Sequence, residues 1–422
     1  FISVNVAADG SSRFGKKSNG AFELFNNQFG VFPSVAAGWL VSSENFMAGG
    51  NFIDMLKLRA SAGITGNDDI GNYSAKQYYV SQNLLGIQGL VLGNFGNPAL
   101  QWETVKKLNA GIDIALFNER VSLSVDAYYN TTDNMITYES LNSMAGLNYI
   151  VTNNGAMENK GLEVALNSRM LNKAFKLDVG VTLAAYRNKL TKLPYDRIIT
   201  RYGDGAILTT AGQPAGVFYG HKTNGIYATD EAGDDLTTAL TSGVIVPFEG
   251  GDVRFEDITP DGIIDDNDRT IIGDPNPDFT GMFNTHMEWK KFSLDAVVTF
   301  SYGNDVYNYM RYRLESMSSY ENQTLVANNR WRAEGQVTDV PRANWGDPMR
   351  NSRFSDRWIE DGSYARLRTV SLTYELPFKT EKIKYVTVYV TGNNLVTLTK
   401  YLGYDPEFSA SNNVLLPGIA VG

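Results

Sequence analysis

Residues 121–130 read VSLSVDAYYN, and every second side chain is apolar. Residues 175–186, FKLDVGVTLAAY, repeat the pattern over a slightly longer stretch. A period of two indicates a β-strand with one apolar and one polar face. About eleven residues of such a strand, tilted near 45°, cross about 25 Å, the height of the apolar band of an outer-membrane barrel. The apolar face therefore meets either a protein core or lipid.

The composition of the 422-residue chain fits a large β structure. Apolar residues make up 43%, which excludes wholesale disorder, and 40 Gly with 23 Tyr and 21 Phe suit many turns and strands. The net charge of −9, without a long basic run, argues against nucleic acid as a partner. Cysteine is absent, which excludes disulfides and thiol catalysis. No apolar run reaches the length of a membrane-spanning helix.

The lengths of the connections between strands favour lipid, rather than a protein core, as the surroundings of the apolar face. Short links at 117–120, 171–174, 290–291 and 377–382 are flanked by connections of tens of residues, including a polar loop predicted over 131–160. Soluble sandwiches and propellers have mostly short turns at both ends, whereas outer-membrane barrels have short periplasmic turns and long external loops. About a dozen strands are recognisable by their alternation. We therefore predict an all-β fold, an antiparallel transmembrane β-barrel with long extracellular loops.

Seven segments resemble, in order along the chain, the SusC/RagA-like branch of the TonB-dependent transporters of the Bacteroidota outer membrane. They are FGVFPSVAAGWLVSSENFM, LKLRASAGITGND, NPALQWETVKKLNAGIDIALF, NNGAMENKGLEVAL, GQPAGVFYGHKTNGIYAT, GDVRFEDITPDGIIDDNDRTIIGDPNPDFTG and VTVYVTGNNLVTLTKYLGYDP. The match is specific because these segments extend from about residue 29 to residue 406, although no single motif would suffice.

The resemblance implies a 22-stranded barrel around an N-terminal plug, a TonB complex as the energy source and a SusD-like surface lipoprotein as a lid. No segment of this sequence matches the plug, the TonB-contacting segment or the closing strand. Residues 1–422 are therefore expected to form the C-terminal portion of the barrel, something over half of it. The implied location is the outer membrane of a Bacteroidota-type Gram-negative bacterium, with lipid around the barrel.

The segment DITPDGIIDDND, residues 257–268, can be aligned with a twelve-residue calcium loop. Gly262 falls where the loop turns sharply, while Thr259 and the final Asp268 depart from the usual ligands. A structural Ca²⁺ ion would pin a long external loop, and the alternative is a solvated Asx-rich turn. The candidate ligands are Asp257, Thr259, Asp261, Ile263, Asp265 and Asp268.

Aromatic residues are concentrated in the third long connection, residues 304–362. Tyr and Trp present flat apolar faces with a polar tip, which suits contacts with sugar rings, peptide side chains or a partner protein. Packing within the loop or a girdle at the barrel rim is the competing explanation. The candidate contact residues are Tyr309, Tyr312, Tyr320, Trp331 and Trp345.

The sequence gives little support for catalysis. His221 and His286 are the only histidines. His221 follows VFYG in a long connection, without a Ser or Asp at a telling spacing. His286 lies on the polar face of the strand FNTHMEW, where a solvated residue facing the barrel interior is expected. We therefore predict a non-enzymatic importer of a large nutrient, an oligosaccharide or a peptide. The alternatives are a soluble, secreted β-rich binding or adhesion module, and a passive porin. A requirement for detergent separates the first alternative from a membrane barrel, and a plug in the full-length protein separates a transporter from a porin.

Overall fold

The computed structural model describes residues 1–15, 22–24, 27–47, 52–233, 235–240, 242–377 and 384–407. Its strands are β1 (Ile2–Gly10), β2 (Phe22–Leu24), β3 (Asn27–Leu40), β4 (Ile53–Asn67), β5 (Tyr78–Leu84), β6 (Ile87–Asn94), β7 (Glu103–Leu116), β8 (Val121–Ser140), β9 (Tyr149–Asn172), β10 (Phe175–Lys192), β11 (Arg197–Tyr202), β12 (Gly205–Thr210), β13 (Val217–Gly220), β14 (Thr223–Ile226), β15 (Thr237–Ala239), β16 (Ile245–Pro247), β17 (Val253–Phe255), β18 (Ile263–Ile264), β19 (Thr270–Gly273), β20 (Phe279–Trp289), β21 (Phe292–Tyr302), β22 (Asp305–Tyr307), β23 (Ile359–Asp361), β24 (Tyr364–Leu376) and β25 (Val386–Thr399). The helices are α1 (Asp230–Gly233) and α2 (Tyr309–Glu315), with 3-10 turns at Val41–Ser43, Asn45–Met47, Ser143–Ala145, Asp266–Asp268, Leu325–Asn329 and Asp356–Trp358.

One antiparallel sheet contains the long strands. Its order is β1-β3-β4-β7-β8-β9-β10-β20-β21-β24-β25, with β2 paired to β3, which makes twelve strands within the described residues. Consecutive strands of the wall are neighbours in space, so the sheet is an up-and-down meander of the kind that forms outer-membrane barrels. The predicted number of about a dozen strands is confirmed. The predicted turn at 377–382 lies outside the described residues, apart from Pro377.

The registers place the apolar positions of neighbouring strands on one face. Val125 of β8 pairs with Ile112 on one side and with Val164 on the other. Cross-strand partners point to the same side of a sheet, so these side chains form a continuous row. The row extends through Leu58, Ile112, Val125, Val164 and Leu183. Leu58 and Leu183 are each 39% exposed, because no second sheet of the described residues covers this face. A soluble sandwich would bury it.

The opposite face carries hydrogen-bonded charges. The guanidinium of Arg59 contacts the Asp113 carboxylate at 2.7 and 2.9 Å, and the Asp126 carboxylate at 2.8 and 2.9 Å. The predicted polar-face residue His286 of β20 contacts Asp295 at 2.6 Å. Charged side chains on one face and apolar side chains on the other match a membrane wall with a polar interior.

One predicted loop is wrong. The segment 131–160 is largely strand, since β8 continues to Ser140 and β9 begins at Tyr149. Only residues 141–148 connect them, so long and short connections do not alternate strictly. Polar residues dominate the extension of β8, and beyond the apolar band a strand needs no apolar face. Two register irregularities, around Met135, further obscure the period.

The other long connections contain secondary structure of their own. Residues 68–102 include the hairpin β5–β6, and residues 193–278 include the nine short strands β11 to β19. The short turns lie at the opposite end of the wall. Residues 117–119 have positive φ angles, and Lys290 takes φ 55° in the two-residue link between β20 and β21. Within the described residues, no helix has the length and hydropathy needed to span a membrane.

Candidate ligand-binding and partner-binding loops

The second and third long connections pack against each other. We call their described parts, residues 193–278 and 303–363, the loop body. Most of the large buried side chains of the protein lie here, and they form two main clusters. The first contains Tyr227, Phe248, Val253, Phe255, Ile264 and Met349, and the second contains Phe218, Tyr307, Phe354 and Trp358. Burial of each such side chain contributes about 1.5–3 kcal/mol. The loop body is therefore ordered by its own core.

A buried ion pair joins the two connections. Asp252 is fully buried, and its carboxylate accepts hydrogen bonds from Arg342 at 2.9 and 3.1 Å and from the Asn351 side chain at 2.8 Å. Asn351 in turn accepts from the backbone N–H of Val253 at 2.8 Å. Burial raises the pKa of Asp252 above its usual value, although these donors act in the opposite direction. The pair is thus costly to break from either side.

Three of the five candidate aromatic residues are part of this packing. Tyr309 and Tyr312 stack with their ring centroids 5.9 Å apart, and Tyr312 meets Trp358 edge-on at 5.5 Å. Trp331 donates its indole N–H to the Ala228 carbonyl at 3.1 Å. Its ring lies against Gly251, where a Cβ would come within 2.6 Å and where φ is 87°. These contacts give the three residues a structural role.

Tyr320 and Trp345 are different, because both project from the loop body. Tyr320 is 89% exposed and Trp345 is 71% exposed. Their rings stack with centroids 6.2 Å apart and an interplanar angle of 26°. Exposed, adjacent and preformed aromatic faces suit contact with a ligand or a partner protein. Of the five candidates, these two have the geometry for such contact.

The segment 257–268 forms a compact hydrogen-bonded turn. Asp268 is fully buried, and its Oδ1 accepts from the backbone N–H of Ile258 and from both the N–H and the hydroxyl of Thr259, at 2.8–3.0 Å. Its Oδ2 accepts from the N–H of Asp265 at 2.8 Å. Burial raises the pKa of Asp268 and these hydrogen bonds lower it, with a net shift below the usual value. Gly262 turns the chain at φ 81°, as predicted.

The described residues do not form a ready calcium cage. Within them, no three His, Asp or Glu side chains are placed to share one metal ion. The Asp268 carboxylate is fully engaged, and Asp257 Oδ2 and Asp261 Oδ1 accept from Gly262 and Ile263. The buried Asp257 Oδ1, however, has no hydrogen-bond partner. The residues thus fit a self-bonded turn better than a cage, and calcium binding stays a prediction.

A lanthanide soak tests the calcium prediction. If Ca²⁺ binds, an anomalous peak is expected beside Asp257 and Asp261, with Ca²⁺–oxygen distances of about 2.3–2.6 Å, because Asp257 Oδ1 is the one buried oxygen left over in this turn. Asp257→Asn should remove the peak and Asp235→Asn, elsewhere in the loop body, should not. An ordered turn holding only water in millimolar calcium would contradict the prediction.

Sequence reasoning missed the charged residues that organise the loop body. Asp252 and Arg342 are 90 residues apart, and no local pattern in the sequence links one to the other. His221 is another case, because its buried ring contacts the Asp265 carbonyl through Nε2 at 2.9 Å. Burial, with the Arg353 charge, lowers the pKa of His221, so the ring is neutral at neutral pH and donates through Nε2. In the sequence, only the presence of a histidine at position 221 drew attention to this contact.

The family model of the TonB-dependent receptor-like β-barrel matches residues 2–395. The chain belongs to this family. The match covers every strand of the wall as far as β25, and the prediction from the seven quoted segments is confirmed. Members of this family are outer-membrane proteins, so the chain is an outer-membrane protein and not a soluble secreted module. The apolar row of the wall is therefore the face that contacts lipid.

The similar proteins fall in the SusC/RagA-like branch. TonB-dependent receptor P3 of Formosa agariphila is 36% identical over 96% of this chain and 40% of its own length. TonB-dependent receptor SusC of Bacteroides thetaiotaomicron is 28% identical over 94% of this chain and 39% of its own length. The solved structure of the RagAB peptide transporter matches with a TM-score of 0.79 at 28% identity, over 96% of this chain and 43% of that one.

The chain spans about two fifths of the length of these relatives. Their names describe receptors and transporters rather than enzymes, in agreement with the prediction that the chain is not catalytic. The match to RagAB extends along nearly the whole chain and includes the loop body, so the resemblance is not confined to the membrane strands.

Proposed function

We propose that this chain is the membrane wall and external loop body of an outer-membrane importer of the SusC/RagA type. The importer takes up a large ligand, an oligosaccharide or a peptide, with energy supplied by TonB. The observation that carries the proposal is the match of 96% of the chain to RagAB, which is described as a peptide transporter, at a TM-score of 0.79. The polar inner face with its paired charges suits a hydrated path.

Energised uptake tests this function. A strain that lacks the full-length protein should lose accumulation of a labelled oligosaccharide or peptide ligand, and the intact gene should restore it. A protonophore should abolish the restored uptake, because TonB depends on the proton gradient. Uptake that continues at the same rate without the gradient would contradict active import and favour a passive porin.

A SusD-like surface lipoprotein is the partner that we propose for the loop body. Two observations support it: the membership of this branch and the exposed Tyr320–Trp345 pair. The long connections could order against each other or against a partner, and the structure describes extensive packing between two of them. The partner is therefore expected to dock on a preformed surface.

We predict that mild detergent extraction copurifies one lipoprotein per barrel. The double variant Tyr320→Ala/Trp345→Ala should weaken this complex by about several hundred-fold, since exposed aromatic anchors each contribute on the order of 2 kcal/mol, or about 30-fold, to an interface. Excision of the whole segment 320–345 would also remove Arg342, the counter-ion of the buried Asp252. It could therefore not distinguish the loss of a contact surface from unfolding of the loop body. Tyr138→Ala/Tyr149→Ala removes another exposed aromatic pair, with centroids 5.0 Å apart, and serves as the control. Equal retention of the lipoprotein in both double variants would contradict the prediction.

A further inference from the structure

The loop body contains a cavity of about 590 Å³ with an unusual charge pattern. Its wall includes four arginines and three aspartates, although the chain as a whole is acidic with a net charge of −9. The arginines are Arg201, Arg269, Arg350 and Arg353. A volume of this size holds a ligand of a few sugar or amino-acid units.

Within the part of the chain that the structure describes, three of these arginines have no carboxylate partner. Arg269 pairs with Asp266 across the 3-10 turn Asp266–Asp268. Among the residues that the structure describes, no carboxylate lies within 4.0 Å of the charged nitrogens of Arg201, Arg350 or Arg353. Arg201 and Arg350 are exposed at the cavity, whereas Arg353 is half-buried in its wall.

Among the described residues, the hydrogen-bond partners of Arg353 are all neutral groups. Its guanidinium donates to the Thr238 hydroxyl at 2.9 Å and to the carbonyls of Arg350 and Met349 at 3.1 and 3.2 Å. It also lies over the Phe255 ring, 4.6 Å from the centroid. Burial and the Arg350 charge lower the pKa of Arg353 to about 10, so it remains cationic at neutral pH. A partly desolvated charge without a counter-ion is a cost that a bound anion would offset.

The lining contains four arginines and three aspartates, so one positive charge of the cavity is left without a balancing carboxylate. Asp265 is engaged as the cap of the 3-10 turn, where it accepts from the N–H and the side-chain amide of Asn267 at 2.6 and 3.2 Å. The neutral His221 fixes the same turn through the Asp265 carbonyl. Asp266 is paired with Arg269, whereas Asp204 makes no ion pair with any residue that the structure describes.

We propose that this arginine-lined cavity is a binding site for a carboxylate-bearing ligand. The planar guanidinium of Arg matches a carboxylate with two parallel N–H···O bonds, and Arg350 and Arg201 are free to make them. Sugar acids and acidic peptides both carry this group. The biological role of this site depends on the proposed import function. Binding itself does not, because it can be measured in detergent without TonB.

Calorimetric titration of the purified full-length protein tests the site with three probes. Trigalacturonate and triglutamate carry carboxylates on different backbones, and maltotriose is neutral. At least one of the two acidic probes should bind, with an affinity that falls as salt rises, and maltotriose should bind at least tenfold more weakly. Binding of only one acidic probe identifies whether a sugar acid or a peptide is preferred.

The variants Arg350→Gln and Arg201→Gln keep the packed Arg353 in place. Each should weaken the acidic probe about tenfold, as expected for the loss of a charge-assisted hydrogen bond. Arg254→Gln removes an exposed loop arginine outside the cavity and should leave affinity within twofold. Melting temperatures of all variants should stay equal to that of the parent protein.

Two results would overturn the proposal: no binding of either acidic probe, or unchanged binding in the Arg350→Gln/Arg201→Gln double variant. In both cases, gradient-dependent uptake by cells would still support the import function. The opposite combination is also distinguishable. If carboxylate binding disappears in the double variant but uptake does not depend on the proton gradient, the binding site is supported and active import is rejected.

Discussion

Arg342→Ala is expected to destabilise the loop body by about 3–5 kcal/mol at neutral pH, because it leaves the fully buried Asp252 carboxylate without its counter-ion. Limited proteolysis should then cleave the chain within residues 193–278 at protease concentrations that spare the parent protein. The membrane strands should remain protected, since their pairing does not involve this ion pair. The loop body would thus unfold locally.

Two variants control for this effect. Arg342→Ala/Asp252→Asn removes the buried charge together with its partner and should recover much of the protection. Arg313→Ala breaks the exposed pair with Glu321 and should cost no more than about 1 kcal/mol. Equal protease sensitivity of Arg342→Ala and Arg313→Ala would show that the buried pair does not hold the two connections together.

The effect of Arg342→Ala should also depend on pH. Burial raises the pKa of Asp252, so this carboxyl group binds a proton more readily in the folded state than in the unfolded state. A raised carboxyl pKa contributes stability below the unfolded pKa, and this contribution is lost as the pH rises through the folded pKa. Without Arg342 the pKa should rise further. The extra protease sensitivity of the variant should therefore shrink between pH 7.5 and pH 5.

Val125→Arg is expected to cost about 2–4 kcal/mol of folding free energy in lipid, because residue 125 lies in the middle of the apolar row. Denaturant titration of the full-length protein in vesicles measures this cost. Thr182→Arg is the matched control, since Thr182 adjoins Leu183 on β10 and points to the polar face. Ser124 is less suitable because it donates to Asp113 at 2.8 Å beside Arg59. Equal costs at residues 125 and 182 would contradict the membrane assignment.

The wall could be predicted from sequence because each strand repeats a local pattern with a period of two. Lipid demands an apolar side chain at every outward position, so the alternation of residues 121–130 and 175–186 is nearly unbroken. Strand length beyond the membrane could not be predicted. There the pairing of β8 with β9 continues through polar residues such as Thr137 and Thr152, whose hydroxyls lie 3.0 Å apart.

The loop body was beyond sequence reasoning for a different reason. Its core depends on contacts between residues that are far apart in sequence, such as Val253 with Asn351. Aromatic composition indicated a contact surface without distinguishing exposed from packed rings. Tyr320 and Trp331 are both large aromatic residues in the same connection. Tyr320 is nevertheless 89% exposed, whereas Trp331 donates a hydrogen bond inside the fold. The arginine-lined cavity likewise combines residues of β11, the 3-10 turn and residues 350–353.

Spin labels placed one at a time at residues 121–130 of the full-length protein, reconstituted in vesicles, test the central claim most directly. Collisions with oxygen, which dissolves in lipid, should be high at Val121, Leu123, Val125, Ala127 and Tyr129 and low at the intervening positions. A water-soluble nickel complex should show the opposite order. The account predicts a period of two with opposite phases for the two reagents, and the same accessibility at neighbouring positions would contradict it.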